Sequence, residues 1–247
     1  MNFYNNFLGD ENANQNLLFF GGDREDQYQQ NLSNQPTDWL YRNLEITYDI
    51  NSLGHRCKNI NDIDLDNYTL YTGCSHTQGI GVRLEDSYPY LVSKNLNCDY
   101  YNLALGATGI DVLEYNVLTW FATVKKKPKC VVIQWPDHSR FASLYPGYKS
   151  LIENGSWSKD EHVQKFLASS EISGFFNARK QISYKLLKEV IDVPIIDIHF
   201  TSLAPYSTEP NNMWFRKVDL GRDLSHSGIK SHLGIANIIE TYIQSLK

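Results

Sequence analysis

From residue 68 onward, short apolar runs alternate with longer segments of helical period, and this rhythm restricts the chain to a narrow set of folds. Tyr68–Tyr71, Tyr100–Leu105, Lys129–Trp135 (KCVVIQW) and Val193–Phe200 (VPIIDIHF) read as buried strands. Apolar residues recur at three- and four-residue spacing near 87–96, 110–124, 159–170, 173–191 and 229–246, which read as helices. In the last of these Ile229, Leu233, Ala236, Ile239 and Ile243 make one apolar stripe, as a helix lying on a core requires. Strands that alternate with helices imply an α/β fold whose parallel sheet is covered on both faces. No internal repeat and no second composition regime divides residues 39–247, so they read as one α/β domain.

Residues 1–38 are different. They are rich in Asn, Gln, Asp and Gly, have weak periodicity and carry Pro36 near their end, so they read as a polar, partly irregular arm or lid. After them Ile46, Tyr48 and Ile50 alternate as in a strand, and Asn51-Ser52-Leu53-Gly54-His55-Arg56 follows as a loop that turns at Gly54.

Charge and leader composition narrow the partners. The net charge of -5 and the short basic run Lys125–Lys127 leave no field to collect phosphates, so nucleic acid is not an expected partner. The first twenty residues have no basic n-region and only the short apolar run Leu17–Phe20, which is neither a signal peptide nor a membrane anchor; the expectation is a cytoplasmic protein without a membrane partner. Cys57, Cys74, Cys98 and Cys130 form no CxxC pair and read as reduced, mostly buried thiols.

In open parallel sheets ligands bind beyond the carboxyl ends of the strands, so the residues after each strand are the candidates for chemistry. After the first comes Thr72-Gly73-Cys74-Ser75-His76-Thr77-Gln78-Gly79, with Ser75 presented at a sharp turn, either as a nucleophile or as the N-cap of an ordinary helix. After the second, Gly106 and Gly109 allow close approach of the backbone to a ligand. The third strand ends in Gln134-Trp135-Pro136-Asp137-His138-Ser139-Arg140, either a functional cluster or a polar turn. Before the last helix, Asp223 precedes His226 by three residues, which lets one loop supply an imidazole and the carboxylate that orients it. The other reading makes Asp223 a helix cap and His226 a surface residue, while His232 reads as an exposed or partly packed helical residue. Asp219, Asp223, His226 and His232 match no compact zinc pattern, and neither a GxGxxG nor a GxxxxGK[ST] loop is present, so no metal and no cofactor is expected.

Together, ITYDINSLGHR and TLYTGCSHTQGIGV in Ile46–Val82, the glycine after the second strand, the polar turn after the third and DLSHSGIKSHLGIANII before the C-terminus resemble the SGNH (GDSL-type) hydrolases over residues 46–245. The resemblance implies a three-layer, flavodoxin-like α/β fold with a central parallel sheet. It also implies Ser75 as nucleophile, His226 as base, Asp223 as its orienter, and an oxyanion hole of the Ser75 and Gly106 (or Ala107) N–H groups.

Two positions depart from the family pattern. Cys74 stands where the family has Asp, so a changed local hydrogen bond is expected there. Pro136 stands where it has the oxyanion Asn, and proline has no N–H to donate, which leaves His138, Ser139 or Arg140 as replacements or the hole short of a donor. The expected substrate is a small-molecule or carbohydrate ester, with O-acetylated carbohydrate ahead of lipid esters, acted on by hydrolysis or acyl transfer. Tyr206, Trp214 and Phe215 in the polar loop Thr201–Arg222 are candidates to line its binding site. The rival expectations are a binding or structural protein with a decayed oxyanion block and a metal-dependent hydrolase using Asp223 and His226 as ligands. Oligomeric state stays open.

Overall fold

Residues 1–137, 139–144, 151–169, 172–200 and 212–245 are described by a computed structural model of the chain. It opens with a hairpin of β1 (Asn2–Tyr4) and β2 (Phe7–Gly9), turned by Asn5 and Asn6 in the left-handed region at φ 45 and 71. Asparagine tolerates that region better than most residues. Next, β3 (Asn16–Leu17) pairs antiparallel with β4 (Tyr48–Asp49), and α1 (Glu25–Asn34) lies between them in sequence.

Residues 1–38 carry β1, β2, β3 and α1 with irregular stretches between them. A few large apolar anchors, Phe7, Leu8 and Phe20, are buried among the polar residues. Polar side chains make the remaining joints: Asn116 accepts the Leu8 N–H through Oδ1 and donates to the Leu8 carbonyl through Nδ2, both at 2.8 Å.

The main sheet comprises β5 (Tyr68–Thr72), β6 (Asp99–Asn102), β7 (Val131–Gln134), β10 (Ile195–Phe200) and β11 (Asn212–Phe215), after the small hairpin β8 (Phe141–Leu144) and β9 (Leu151–Asn154) is set aside. All its pairings are parallel and the order is β6-β5-β7-β10-β11, the flavodoxin-like order. Every residue of β5 and β7 is buried, as continuous apolar strands covered on two faces must be. α3 (Tyr88–Asn95) packs on α7 (Ile229–Ser245), and α4 (Ile110–Thr123) packs on α6 (Ile172–Val190), giving helix, sheet and helix layers. The short α2 (Ser75–Gln78) follows β5, and α5 (Glu161–Ala168) packs on α6. Among the described residues no helix is long and apolar enough to cross a membrane.

Aromatic residues fill the core, and several of their polar tips are paired. Trp120 donates to the Tyr68 hydroxyl at 3.1 Å, which itself donates to the Lys126 carbonyl at 2.7 Å. Cys57, Cys74 and Cys130 are buried free thiols, and Cys98 is half-buried.

Two sequence expectations are revised, and one element, the β8–β9 hairpin, was not read from the sequence, its strands having only four residues each. β11 lies within the segment read as one long loop, since its four residues become a strand only by pairing with β10. The buried stripe of α7 is rotated: Leu233 is 47% exposed and His232 is fully buried. His232 accepts the Tyr88 N–H at 3.2 Å and stacks on the Tyr88 ring, so α3 covers the face on which it lies.

His55 is buried as deeply, with Nε2 on the Leu8 carbonyl and Nδ1 on the Tyr101 hydroxyl, each at 3.1 Å. Burial pulls the His55 pKa down to about 4, and burial followed by the Arg56 charge pulls that of His232 down to about 3. In the unfolded chain each takes a proton near 6.5, so their contribution to stability is complete above that pH and is lost as the pH falls toward 4. At about 1.4 kcal/mol per pKa unit the loss is on the order of 3 kcal/mol for each. Urea denaturation at pH 7.5 and 4.5 is expected to show a steep loss in the wild type and a shallower one in His232→Asn; equal slopes would contradict this.

Candidate active site

The chain leaves β5 for β6 on one side and returns past it to β7 on the other, so the carboxyl end of β5 is a topological switch point with an open crevice. Ser75 stands there as the first residue of α2. The helix is a single turn, closed by Gly79 in the left-handed region at φ 80. So short a helix needs outside support, and Arg56 supplies it. Its fully buried guanidinium donates to the carbonyls of Thr47 (2.8 Å), Val82 (3.0 Å), Gln78 (3.3 Å) and Gly79, and lies over the Tyr48 ring at 4.2 Å. The loop that carries Arg56 is fixed by Asn51, whose Oδ1 accepts the N–H groups of Leu53 and His55 while its Nδ2 reaches the Lys58 carbonyl and the Tyr101 hydroxyl.

On the sheet side, Gln134 Oε1 accepts from the Cys74 N–H (3.1 Å), the Cys74 thiol (3.0 Å) and the Thr77 hydroxyl (3.3 Å). The thiol thus makes the altered local bond expected at position 74. Gln134 was not singled out by sequence, because its role depends on the register that sets β7 beside β5.

Asp223 and His226 come from the loop before α7. Asp223 Oδ1 accepts the N–H groups of Ser225 and His226 at 3.1 Å, and Oδ2 bonds His226 Nδ1. His226 Nε2 stands 2.8 Å from Ser75 Oγ, which completes a continuous Ser75–His226–Asp223 chain. Leu224 between them takes a left-handed φ of 54, a strained conformation that the two bonds to Asp223 Oδ1 hold in place. Burial pushes the Asp223 carboxyl up, but the bond to His226, its charge and the two backbone N–H groups outweigh burial and hold the pKa below the usual 3.8. The carboxylate therefore retains Nδ1–H, a tautomer assigned from the hydrogen bonds, and Nε2 presents its lone pair to the serine.

Residues 18–31 complete the site. Asp23 and Arg222 form a buried ion pair, with Arg222 Nε at 3.0 Å and Nη2 at 2.6 Å from Asp23 Oδ2. Tyr48 donates its hydroxyl to the same carboxylate at 2.5 Å and accepts the Gly81 N–H at 2.9 Å. Arg222 also donates to the Leu18 carbonyl, and Asn31 donates to the Arg222 carbonyl. Gly81 and Gly221 allow the two active loops to touch: a Cβ on Gly221 would stand 2.9 Å from the Gly81 carbonyl oxygen. Gly22 lies directly on the histidine, since a Cβ there would stand 2.9 Å from His226 Cε1. On another side the His76 ring lies 5.0 Å from that of His226, with Nδ1 accepting the Ser227 N–H at 3.3 Å. Burial, then the nearby His226, holds His76 neutral, well below the ordinary histidine pKa. Sequence gave no signal for Gly22, Asp23 or Arg222, because their roles join segments about two hundred residues apart.

Gly106 stands beside Ser75: a Cβ on the glycine would lie 3.9 Å from that of the serine. Ala107 follows it in the turn with φ 61. Of the proposed replacements for the missing Asn, His138 lies outside the described residues. Ser139 gives its hydroxyl to Asp137 at 2.6 Å, and the Arg140 guanidinium lies over the Trp157 ring at 4.9 Å. Tyr206 and the Trp214 side chain lie outside the described residues, and Phe215 is buried in the core. The four residues grouped for a metal diverge: Asp219 caps α7 through the N–H groups of Lys230 and Ser231, and His232 lies under α3. No group of three or more His, Cys, Asp or Glu suited to a metal occurs among the described residues.

No protein-family model and no curated protein matches the sequence. Among solved structures the chain is similar to an acetyl xylan esterase of the rumen bacterium Butyrivibrio proteoclasticus, with 14% identity and a TM-score of 0.42 over 72% of this chain and 63% of that one. It is also similar to a carbohydrate esterase family 2 enzyme of Corynascus thermopiles (12%, TM-score 0.46, 72% and 66%) and to the psychrotrophic esterase EstA of a Pseudoalteromonas species (10%, TM-score 0.45, 73% and 98%). The chain spans just under two thirds of the first two. The likeness is one of fold, and the three-layer flavodoxin-like architecture implied by the SGNH resemblance is the one observed.

Removing the Asp23 carboxylate strands the Arg222 charge in the interior. Asp23→Ala is expected to lose about 3–5 kcal/mol in urea denaturation. A loss below about 1 kcal/mol would show that the ion pair does not hold residues 18–31 to the domain.

Proposed function

We propose that the protein is a serine ester hydrolase that removes small acyl groups from O-esters. One observation carries this reading: Ser75, His226 and Asp223 form an unbroken hydrogen-bonded chain at the carboxyl end of a parallel sheet. Each bond has a chemical use. Asp223 orients the imidazole and stabilises its charged form; His226 Nε2 takes the Ser75 proton as Oγ attacks the acyl carbonyl. The tetrahedral oxygen then faces the N–H groups of Ser75 and Gly106. When the intermediate collapses, His226 returns the proton to the departing alkoxide. Water attacks the acyl-enzyme through the same base and frees the serine.

The proposed substrate class is a short acyl ester, with O-acetylated carbohydrate ahead of lipid esters. Gly22 and His76 crowd His226 from two sides, which favours a small acyl group, and the acetyl xylan esterase named above shares the fold. Transfer of the acyl group to a sugar hydroxyl in place of water uses the same steps. A non-catalytic role has one observation in its favour, Pro136 in the position of an oxyanion donor. The strained, fully hydrogen-bonded loop at Leu224 speaks against it, since binding alone does not need such a conformation.

Hydrolysis of p-nitrophenyl esters from acetate to octanoate tests the reading. Turnover is expected to favour the short chains, to fall about 10⁶-fold in Ser75→Ala and His226→Ala, and to drop about 10⁴-fold in Asp223→Asn, which presents the wrong tautomer. An inert wild type, or a Ser75→Ala variant as active as the wild type, would overturn it.

A further inference from the structure

A tetrahedral oxygen on the Ser75 ester has two backbone donors and no assigned side-chain donor. Pro136 has no N–H, Ser139 bonds Asp137, the Arg140 guanidinium lies over the Trp157 ring with Nε and Nη1 buried and unpaired, and both ends of the Gln134 amide are used, Oε1 by the turn that carries Ser75 and Nε2 by the Trp135 carbonyl at 2.7 Å.

A second carboxamide is unused. Gln78 ends α2, three residues after Ser75, so the two side chains leave the helix on one side. Gln78 is fully buried at 0% exposure, yet neither Oε1 nor Nε2 has a hydrogen-bond partner. Buried polar groups are nearly always paired, and a side chain orphaned at both ends calls for a reason. A Cβ placed on Gly106 would stand 3.2 Å from Gln78 Oε1 and 3.9 Å from Ser75 Cβ, so the amide, the oxyanion glycine and the nucleophile meet at one point.

We propose that Gln78 is the third oxyanion donor, its Nε2–H bonding the acyl carbonyl oxygen as that oxygen becomes negative. The assignment rests on Ser75 being the nucleophile. It moves the donor from the end of β7, where Pro136 cannot serve, to the helix that carries the serine. A half-turn of the amide exchanges Oε1 and Nε2, and no bond in the free protein opposes it. No proton passes through Gln78; it contributes one hydrogen bond, strongest in the tetrahedral state, while His226 carries all proton transfer. The partner missing in the free protein is thus supplied at the transition state, which is where binding accelerates reaction.

The test is Gln78→Leu, similar in size and without a donor, assayed on p-nitrophenyl acetate beside wild type and Ser75→Ala, with thermal unfolding and inhibition by a trifluoromethyl ketone. The ketone's adduct carries the tetrahedral oxygen. A folded variant is expected whose kcat falls roughly 10²- to 10³-fold, with KM changed less than about threefold and ketone affinity reduced in step with kcat. A purely structural role would lower the unfolding temperature without this selective loss. Ser75-dependent turnover that survives in Gln78→Leu to within about threefold overturns the Gln78 assignment alone. A wild type without Ser75-dependent turnover overturns the esterase reading and the assignment with it. If Gln78→Leu does not fold, Gln78→Met, of similar length and without an N–H donor, carries the same comparison, with the same loss expected and the same survival overturning.

Discussion

Two guanidinium groups removed from water hold the two halves of the site, and each must find enough oxygen to replace its hydration. Arg56 finds carbonyl groups on both sides of the one-turn helix that presents Ser75. Arg222 finds the Asp23 carboxylate, and in doing so places the neighbouring Asp223 and the loop that carries His226. Tyr48 links the two sets, since its ring lies under Arg56 while its hydroxyl bridges Asp23 and the Gly81 N–H. The Ser75–His226 contact thus depends on a network that runs through residues near both ends of the chain.

The sheet decides where this network has to act. Strand order reverses at β5, and the turns after β5 and β6 and the end of β7 bring Ser75, Gly106 and Gln134 together there. The last turn differs most in use from the family pattern that the sequence resembles. Gln134 supports the nucleophile turn, so an element expected to face the substrate serves here as a brace. In the proposed reaction the backbone N–H donors for the oxyanion, those of Ser75 and Gly106, lie on the β5 and β6 sides.

Much of this was legible in the sequence, and what was missed has a common cause. The core strands and the long helices announce themselves because burial on two faces, or on one stripe, imposes a period that a single chain segment displays. Ser75, Asp223 and His226 were candidates because a turn after a strand and a three-residue spacing are local signals, and only the SGNH resemblance set these signals above an N-cap serine and a surface histidine. The packing of residues 1–38 was not legible: their apolar residues, such as Phe7 and Phe20, sit in runs too short to show a period, and Asp23 matters through Arg222, far away in sequence. His232 was misplaced for a related reason, since a histidine on a helix reads as polar until the α3 backbone N–H that it accepts is known. Short pieces such as β8, β9 and β11 depend on pairing, which no local pattern displays.

The central claim is that His226 makes Ser75 a nucleophile, and covalent labelling tests it without knowledge of the natural substrate. A fluorophosphonate probe followed by peptide mass spectrometry should give a single adduct on Ser75, formed rapidly by the wild type and far more slowly by His226→Ala. An unlabelled wild type, an adduct on another residue, or a rate unchanged by loss of His226 would contradict the account.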